Sequence, residues 1–237
     1  MPTCAITFGY VPYRDRRRQI TQDVAIECLR RLPSGYTPFS IGYVNDEPPP
    51  YEDIEHLAVL TRNSADIIGN NRPLPYIKDI INTVANKPYD YIGYVNSDIL
   101  LGKKWVETMQ ADVDAHLQCR YEIGEIDADG FLQGNMRVIG GGDKHPGVDG
   151  FFFKRLWWRQ YEHLFPSDLI VGEGEWDTCY RFLLRRACQN RLESRSLYHV
   201  YHDQKWTMTS PGFRQNEDIW IKIQRQYPPR RAGETRF

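Results

Sequence analysis

Residues Tyr89 to Val95 (YDYIGYV) are the most strand-like run in the chain, and Asn96-Ser97-Asp98 follow without a break. Aromatic and β-branched residues favour an extended, packed backbone. In an open α/β sheet, ligands bind beyond the carboxyl ends of the strands. A carboxylate such as Asp98 at that place can hold Mg²⁺ or Mn²⁺. These hard cations take oxygen ligands and often keep waters, so one or two protein carboxylates suffice. Equally, Asp98 suits the cap of a following helix.

The preceding segments supply the rest of such a sheet. Cys4 to Tyr10 (CAITFGY) reads as a first strand. Ile20, Val24, Cys28 and Leu32 recur every four residues, a helical pattern that Pro33-Ser34-Gly35 ends. Phe39 to Val44 reads as a second strand, closed by Asn45-Asp46-Glu47 and three prolines. This β-α-β opening implies parallel strands with a right-handed crossover. Leu57 to Leu60 is a short third strand, and the polar stretch Asn63 to Pro73 a loop. Ile77, Ile80, Ile81 and Val84 share one helical face, as do Trp105, Met109 and Val113.

Beyond Tyr121 the pattern weakens. Ile139 to Lys144 (IGGGDK) reads as a flexible loop, able to close over a ligand, and Phe151-Phe152-Phe153 as a short strand. Leu156-Trp157-Trp158 begin a helix or turn. Trp176, Tyr180, Leu183 and Ala187 share a helical face behind Gly172-Glu173-Gly174-Glu175. Ser196 to Tyr201 is a late strand, and the polar tail after Pro211 is expected to wrap the surface or to move. There is no internal repeat. The alternation predicts one α/β domain with a mixed, mainly parallel sheet: a ligand-binding half over 1–100, a second half over 101–206 and a tail over 207–237.

With 237 residues and 41% hydrophobic content, the chain can bury one substantial core. Lys and Arg total 30 against 31 Asp and Glu, so there is no overall basic field for gripping a nucleic acid. Five cysteines without a C-x-x-C pair read as reduced, buried thiols. The N-terminus lacks a signal-peptide layout, and no apolar run approaches the roughly 18 residues needed to span a bilayer. These features point to a cytoplasmic protein.

Several other residues invite chemistry, each with a plainer alternative. Glu175 and Asp177 open a helix, as acids favoured by the helix dipole or as a general base for an acceptor hydroxyl. Asp149 lies between glycines, suited to a turn or to close ligand approach. His199 and His202 are three residues apart; on a strand their side chains would point to opposite faces, so one of them is expected to ligate a metal rather than both. With no cysteine nearby, zinc is poorly supported. The basic run Arg14, Arg16, Arg17 and Arg18 suits donor phosphates or a solvated helix start. Gly140-Gly141-Gly142 does not open a helix in a phosphate-loop pattern.

In this order the motifs resemble the GT-A superfamily of glycosyltransferases over positions 3 to 206. There, a strand like Tyr91 to Val95 ends in an Asp-x-Asp motif that binds a divalent metal and the donor diphosphate. Here the motif is Asn96-Ser97-Asp98, so Asp98 matches the metal-binding carboxylate and Asn96 replaces the first Asp. The resemblance implies a GT-A-like fold and transfer of a sugar from a nucleoside-diphosphate sugar with Mn²⁺ or Mg²⁺. It puts Tyr10, Asp46, Arg72, Asn96 and Asp98 around the donor. It puts Asp149 and Trp176 on the acceptor side, and His202 or His199 at the metal beside Asp98. Asp177, then Glu175, would be the catalytic base. The acceptor would be a glycan, a lipid-linked sugar, a small molecule or a modified nucleobase. Two other readings are a non-catalytic sugar-binding domain and a sugar-nucleotide nucleotidyltransferase. The glycine-poor segment Gly9 to Arg14 disfavours the latter.

Overall fold

The computed structural model describes residues 2–102, 104–128, 138–139, 142–202 and 206–228. The first part alternates as β1 (Cys4–Gly9), α1 (Arg16–Arg30), β2 (Tyr36–Tyr43), β3 (Glu55–Leu60), α2 (Ser64–Ile68), α3 (Ile77–Val84) and β4 (Tyr91–Val95). There follow β5 (Ile99–Leu101), α4 (Lys104–Met109), β6 (Ala115–Ile123), the small pair β7 (Glu125–Ile126) and β8 (Val138–Ile139), and the long β9 (Asp143–Lys154). The chain closes with α5 (Arg155–Tyr161), α6 (Trp176–Ala187), β10 (Arg191–Val200) and α7 (Pro211–Gln226).

Eight strands form one sheet in the order β3-β2-β1-β4-β9-β6-β10-β5. β1, β2, β3 and β4 are mutually parallel; β9 runs antiparallel between β4 and β6, and β10 pairs parallel with β6. This is the mixed, mainly parallel GT-A-like α/β domain that the sequence predicts. The alternation within β1 shows why it is covered on both faces. Ala5 joins one apolar cluster with α3, α5 and α6, while Cys4, Ile6 and Phe8 join another with α1 and α4. At the β4–β9 seam Gly93 has no substitute: a Cβ there would lie 2.3 Å from the Phe152 ring. All five cysteines are free, four of them buried. No described helix is long and apolar enough to cross a membrane.

Several expectations are corrected. The buried face of α1 includes Val24, Ala25 and Leu29, whereas Ile20 is 42% exposed. Asn63 to Pro73 contains α2, because Asn63 accepts the Asp66 amide and Gly69 ends the turn in the left-handed region at φ 67°. α4 stops at Met109, short of Val113. Phe151-Phe152-Phe153 is the buried end of a 12-residue strand that takes in Asp143 and Lys144 of the expected loop. Gly140 and Gly141 lie outside the described residues. The polar tail is mostly helix: Ser210 caps it by accepting from the Phe213 amide, with Pro211 in the first turn, and Phe213 and Ile223 are buried. Residues 229–237 lie outside the described part.

Candidate metal and acid–base site

The carboxyl ends of β4, β6 and β10, with a kink in β9, gather the predicted residues. Asn96 extends β4, and its amide donates to the Asp149 carbonyl at 3.3 Å. β9 carries an extra residue there: Gly150 faces Gln118 and Val148 faces the next residue, Cys119, leaving Asp149 in a bulge. Bulges re-aim side chains. The Asp149 carboxylate accepts from Asn96 Nδ2 at 3.0 Å and from Arg120. Asn96 Oδ1 in turn accepts from the Tyr94 hydroxyl at 2.9 Å. An aspartate at 96 would set a second carboxylate against Asp149, while the asparagine donates to it.

Asp98 is the centre of a second group. Its Oδ2 lies 3.1 Å from His202 Nε2 and 3.6 Å from His199 Nε2. These three residues each offer a ligand atom within 4.8 Å of the others. Ligands about 2.1 Å from a common ion stand roughly 3.0–3.4 Å apart; the Asp98–His202 distance falls in that range and the Asp98–His199 distance just outside it, so a small closure would bring the trio onto a divalent cation. The expectation that the histidines face opposite ways fails because β10 ends at Val200. His202 lies past the strand, where the two-residue period no longer holds, and the two rings are 4.9 Å apart.

Further groups brace the trio. His199 Nδ1 is 2.8 Å from Glu122 Oε2, and Arg120 Nε is 2.7 Å from Glu122 Oε1. Arg120 therefore bridges Glu122 and Asp149, joining the histidine group to the Asn96 group. Burial opposes charge on Asp98, but the hydrogen bonds from His199 and His202 and their charges outweigh it and hold the carboxylate far below the usual range. Burial likewise opposes ionisation of Glu122, yet His199 and Arg120 bring it down to about 2. His199 is pushed up to about 9: burial favours the neutral ring, and its bonds to Asp98 and Glu122 prevail. A metal ion would displace that proton.

Asp177 sits in the first turn of α6 and its Oδ2 accepts from the Val148 amide at 3.4 Å. Burial, then the nearby Asp149 carboxylate, raise Asp177 to about 6. Glu175 caps α6 without a side-chain capping bond, at φ 70°, the one positive-φ non-glycine residue described. Trp176, expected on the acceptor side, is 5% exposed and packs against Tyr94, Phe151 and Tyr180, so its ring is spent on the core.

The remaining donor-side candidates engage partners of their own, and the Arg72 charge also acts on Tyr13, on which the Asp98 charge acts. Asp46 follows β2 and closes its own turn by accepting from the Tyr43 amide at 2.7 Å. Arg72 donates to Gly172 O at 3.0 Å and to buried Glu173 at 3.1 Å, tying the loop before α3 to the loop before α6. Tyr10 lies beside Gln19 and Asp23 of α1. Three residues escaped the sequence reading. Tyr13 bonds Ser97 and feels Asp98, and its phenol is raised first by burial and then by that carboxylate. Arg120 and Glu122 lie on β6, in a stretch without a recognisable motif; the alternating polar positions 120 and 122 were the available signal.

No protein-family model matches the chain, and no curated protein matches it. Among solved structures, the chain is similar to S. aureus TarS 1-349 in complex with UDP-GlcNAc, with 10% identity and a TM-score of 0.54 over 86% of this chain and 59% of that one. A second crystal structure of S. aureus TarS 1-349 aligns at 8% identity and a TM-score of 0.48, over 84% of this chain and 60% of that one. The chain thus spans 59–60% of the length of the TarS structures. At 10% identity, the likeness to the UDP-GlcNAc complex is one of fold.

Proposed function

We propose that this chain is a glycosyltransferase that moves a sugar from a nucleoside-diphosphate sugar to an acceptor hydroxyl with help from Mn²⁺ or Mg²⁺. The observation that carries the reading is the pairing of two unlike groups at one end of the sheet. Asp98, His199 and His202 each bring a possible ligand atom within 4.8 Å of the others, which supports a cation site there. Asp177, with its raised pKa of about 6, stands beside Asp149. The shared fold with TarS, solved with UDP-GlcNAc, supports a nucleotide-sugar donor.

A divalent cation at Asp98 supplies positive charge that stabilises the departing diphosphate. The residues do the rest. Asp177 takes the proton of the acceptor hydroxyl as its oxygen bonds to the anomeric carbon. The bond from that carbon to the diphosphate oxygen breaks, and its electron pair leaves with the nucleoside diphosphate. A base with a pKa near the working pH combines availability with basicity. Arg120 holds Asp149 and Glu122 in place, and Glu122 orients His199.

The direct test is a screen of UDP-, GDP-, CDP- and dTDP-sugars for release of the nucleoside diphosphate, with and without Mn²⁺. Metal-dependent release from one donor class is expected, lost in Asp98→Asn. Binding of a donor without release, for every acceptor class tried, would instead identify a sugar-nucleotide-binding domain.

A further inference from the structure

The run Leu156-Trp157-Trp158 plays no part in the transfer described above. Trp158 is fully buried and donates its indole N–H to Asn82 Oδ1 at 2.8 Å. Leu156 and Trp157 instead line a cavity of about 550 Å³, a size that suits a small-molecule site. The cavity lies at the far end of the sheet from Asp98. There β9 ends at Lys154, and Asp114 and Asn190 lead into the amino ends of β6 and β10. Along β9, Asp149 and Lys154 are separated by about 17 Å of extended chain.

Its wall joins apolar side chains to polar ones. Trp157 and Tyr161 stand one turn apart on α5 with ring centroids 5.0 Å apart, and Phe153 stacks on Trp157 at 6.0 Å and 4°. These contacts fix the indole. Trp157 itself is 9% exposed, so the open apolar surface is mainly that of Leu156, 70% exposed, and of half-buried Tyr161. Gln160, Gln189 and Asn190 add three exposed carboxamides. Among the described residues, none bonds those carboxamides. Lys154 is the one cation of the described lining. Its Nζ lies 2.7 Å from Asp112 and 3.5 Å from Asp114, so two carboxylates already meet its charge.

We propose that this cavity binds a neutral sugar unit of a glycan. A pyranose ring presents C–H groups on its faces, which suit the aromatic and aliphatic side chains of α5. Around its rim it carries hydroxyls, each a donor and an acceptor at once. A carboxamide answers them in kind, since it also offers both, and the Asp114 carboxylate adds further acceptors. The same wall disfavours other ligands. A phosphate would meet two carboxylates and an ammonium already engaged. A wholly apolar ligand would strip water from the carboxamides and from Asp114 without replacing its bonds. In a glycosyltransferase such a site holds a long acceptor by a unit remote from the reacting hydroxyl. The sugar site itself needs neither the metal nor Asp177.

The test uses the full chain with isotope-labelled indole nitrogens, and no nucleotide or metal. It follows the nuclear magnetic resonance signal of the Trp157 indole N–H, assigned by its absence in Trp157→Phe. The probes are the methyl glycosides of glucose, galactose, mannose and N-acetylglucosamine, with methyl glucuronide as the charged counterpart of the glucoside. At least one neutral glycoside should move that signal in a saturable, millimolar titration. The double variant Gln189→Ala, Asn190→Ala changes exposed side chains only, and its melting temperature checks the fold. It should bind that glycoside roughly tenfold more weakly, the scale of two lost hydrogen bonds. Leu156→Ser should weaken binding as well. The glucuronide should bind less tightly than the glucoside. A signal that no neutral glycoside moves, or a titration undiminished in the double variant, overturns the proposal. Tighter binding of the glucuronide than of every neutral glycoside also overturns it, because it would mark an anion site. Each of these results leaves the transfer reading standing, since that reading is tested by release of the nucleoside diphosphate.

Discussion

Glu122 Oε2 lies 2.8 Å from His199 Nδ1 and thereby fixes which ring nitrogen faces Asp98. The arrangement matches the carboxylate–histidine pairs that orient metal ligands, whose loss typically costs 10–100-fold in metal affinity. Glu122→Ala should weaken Mn²⁺ binding by a factor in that range, and Glu122→Gln, which keeps an acceptor oxygen, should recover part of it. Calorimetric titration with Mn²⁺ checks this. Equal affinity in wild type and Glu122→Ala would remove Glu122 from the site.

Asp177 gives a pH signature with opposite signs for activity and stability. Its folded pKa, about 6, is above the usual aspartate value. The native state therefore holds this proton over a range where the unfolded chain has released it, and this group's contribution to stability falls as pH rises from about 4 to about 6. As a base it must be ionised, so turnover should rise with pH through about 6. Asp177→Asn should cut turnover by at least about two orders of magnitude. At pH 8 it should melt no lower than wild type, and any advantage should vanish by pH 4. A large loss of melting temperature at pH 8 with turnover preserved would make Asp177 a helix-capping residue only.

Glu175 holds a left-handed backbone at φ 70° without a capping bond to repay it. Such conformations cost about 1–2 kcal/mol for residues other than glycine. Glu175→Gly should therefore melt higher than Glu175→Ala by several degrees, at about 2–4 °C per kcal/mol. Strained residues cluster at functional sites, and both variants should lose turnover. If Glu175→Gly keeps full activity, the side chain has no part in the reaction.

Much of the sheet was legible because β1, β2, β4 and α3 carry their own periodicity. Ile77, Ile80, Ile81 and Val84 all face the core as expected. β6, the length of β9 and helix α7 were not. β6 and β9 owe their form to pairing with each other across 20 or more residues, and no local pattern announces a partner. α7 is polar on most of its surface and reads as tail until Ser210 and Pro211 are recognised as a helix start. In the site, Asp98 stood out by its place after a strand, Asp177 by its place at the start of a helix, and Asp149 by the glycines beside it. Arg120 and Glu122 did not, because their meaning lies in what β9 and β10 bring beside them.

Asn216 separates folding from chemistry. Fully buried, it accepts from the Ile170 amide at 2.9 Å and donates to the carbonyls of Ile170 and Gly174, each at 2.9 Å. It thus ties α7 to the loop that leads into Glu175. Asn216→Ala leaves these backbone groups orphaned, at about 1–3 kcal/mol each. Thermal melts should show a loss of roughly 4 °C or more. A change within about 1 °C, the small effect typical of surface substitutions, would mean that α7 docks by its apolar residues alone.

The central claim, that Asp98 and its histidines hold a cation against a nucleoside diphosphate, is tested most directly by thermal shift. A ligand that binds only the folded chain adds about 2.7 kcal/mol at a hundredfold excess over its dissociation constant, and each kcal/mol raises the melting temperature by about 2–4 °C. UDP, GDP, CDP and dTDP should be measured with Mn²⁺ and with chelator, on wild type and on Asp98→Asn. The account predicts that one nucleotide shifts wild type by several degrees, that Mn²⁺ enlarges that shift, and that Asp98→Asn loses the metal-dependent part. No shift with any of the four at millimolar concentration in the presence of Mn²⁺, or a metal-dependent shift undiminished in Asp98→Asn, would contradict it.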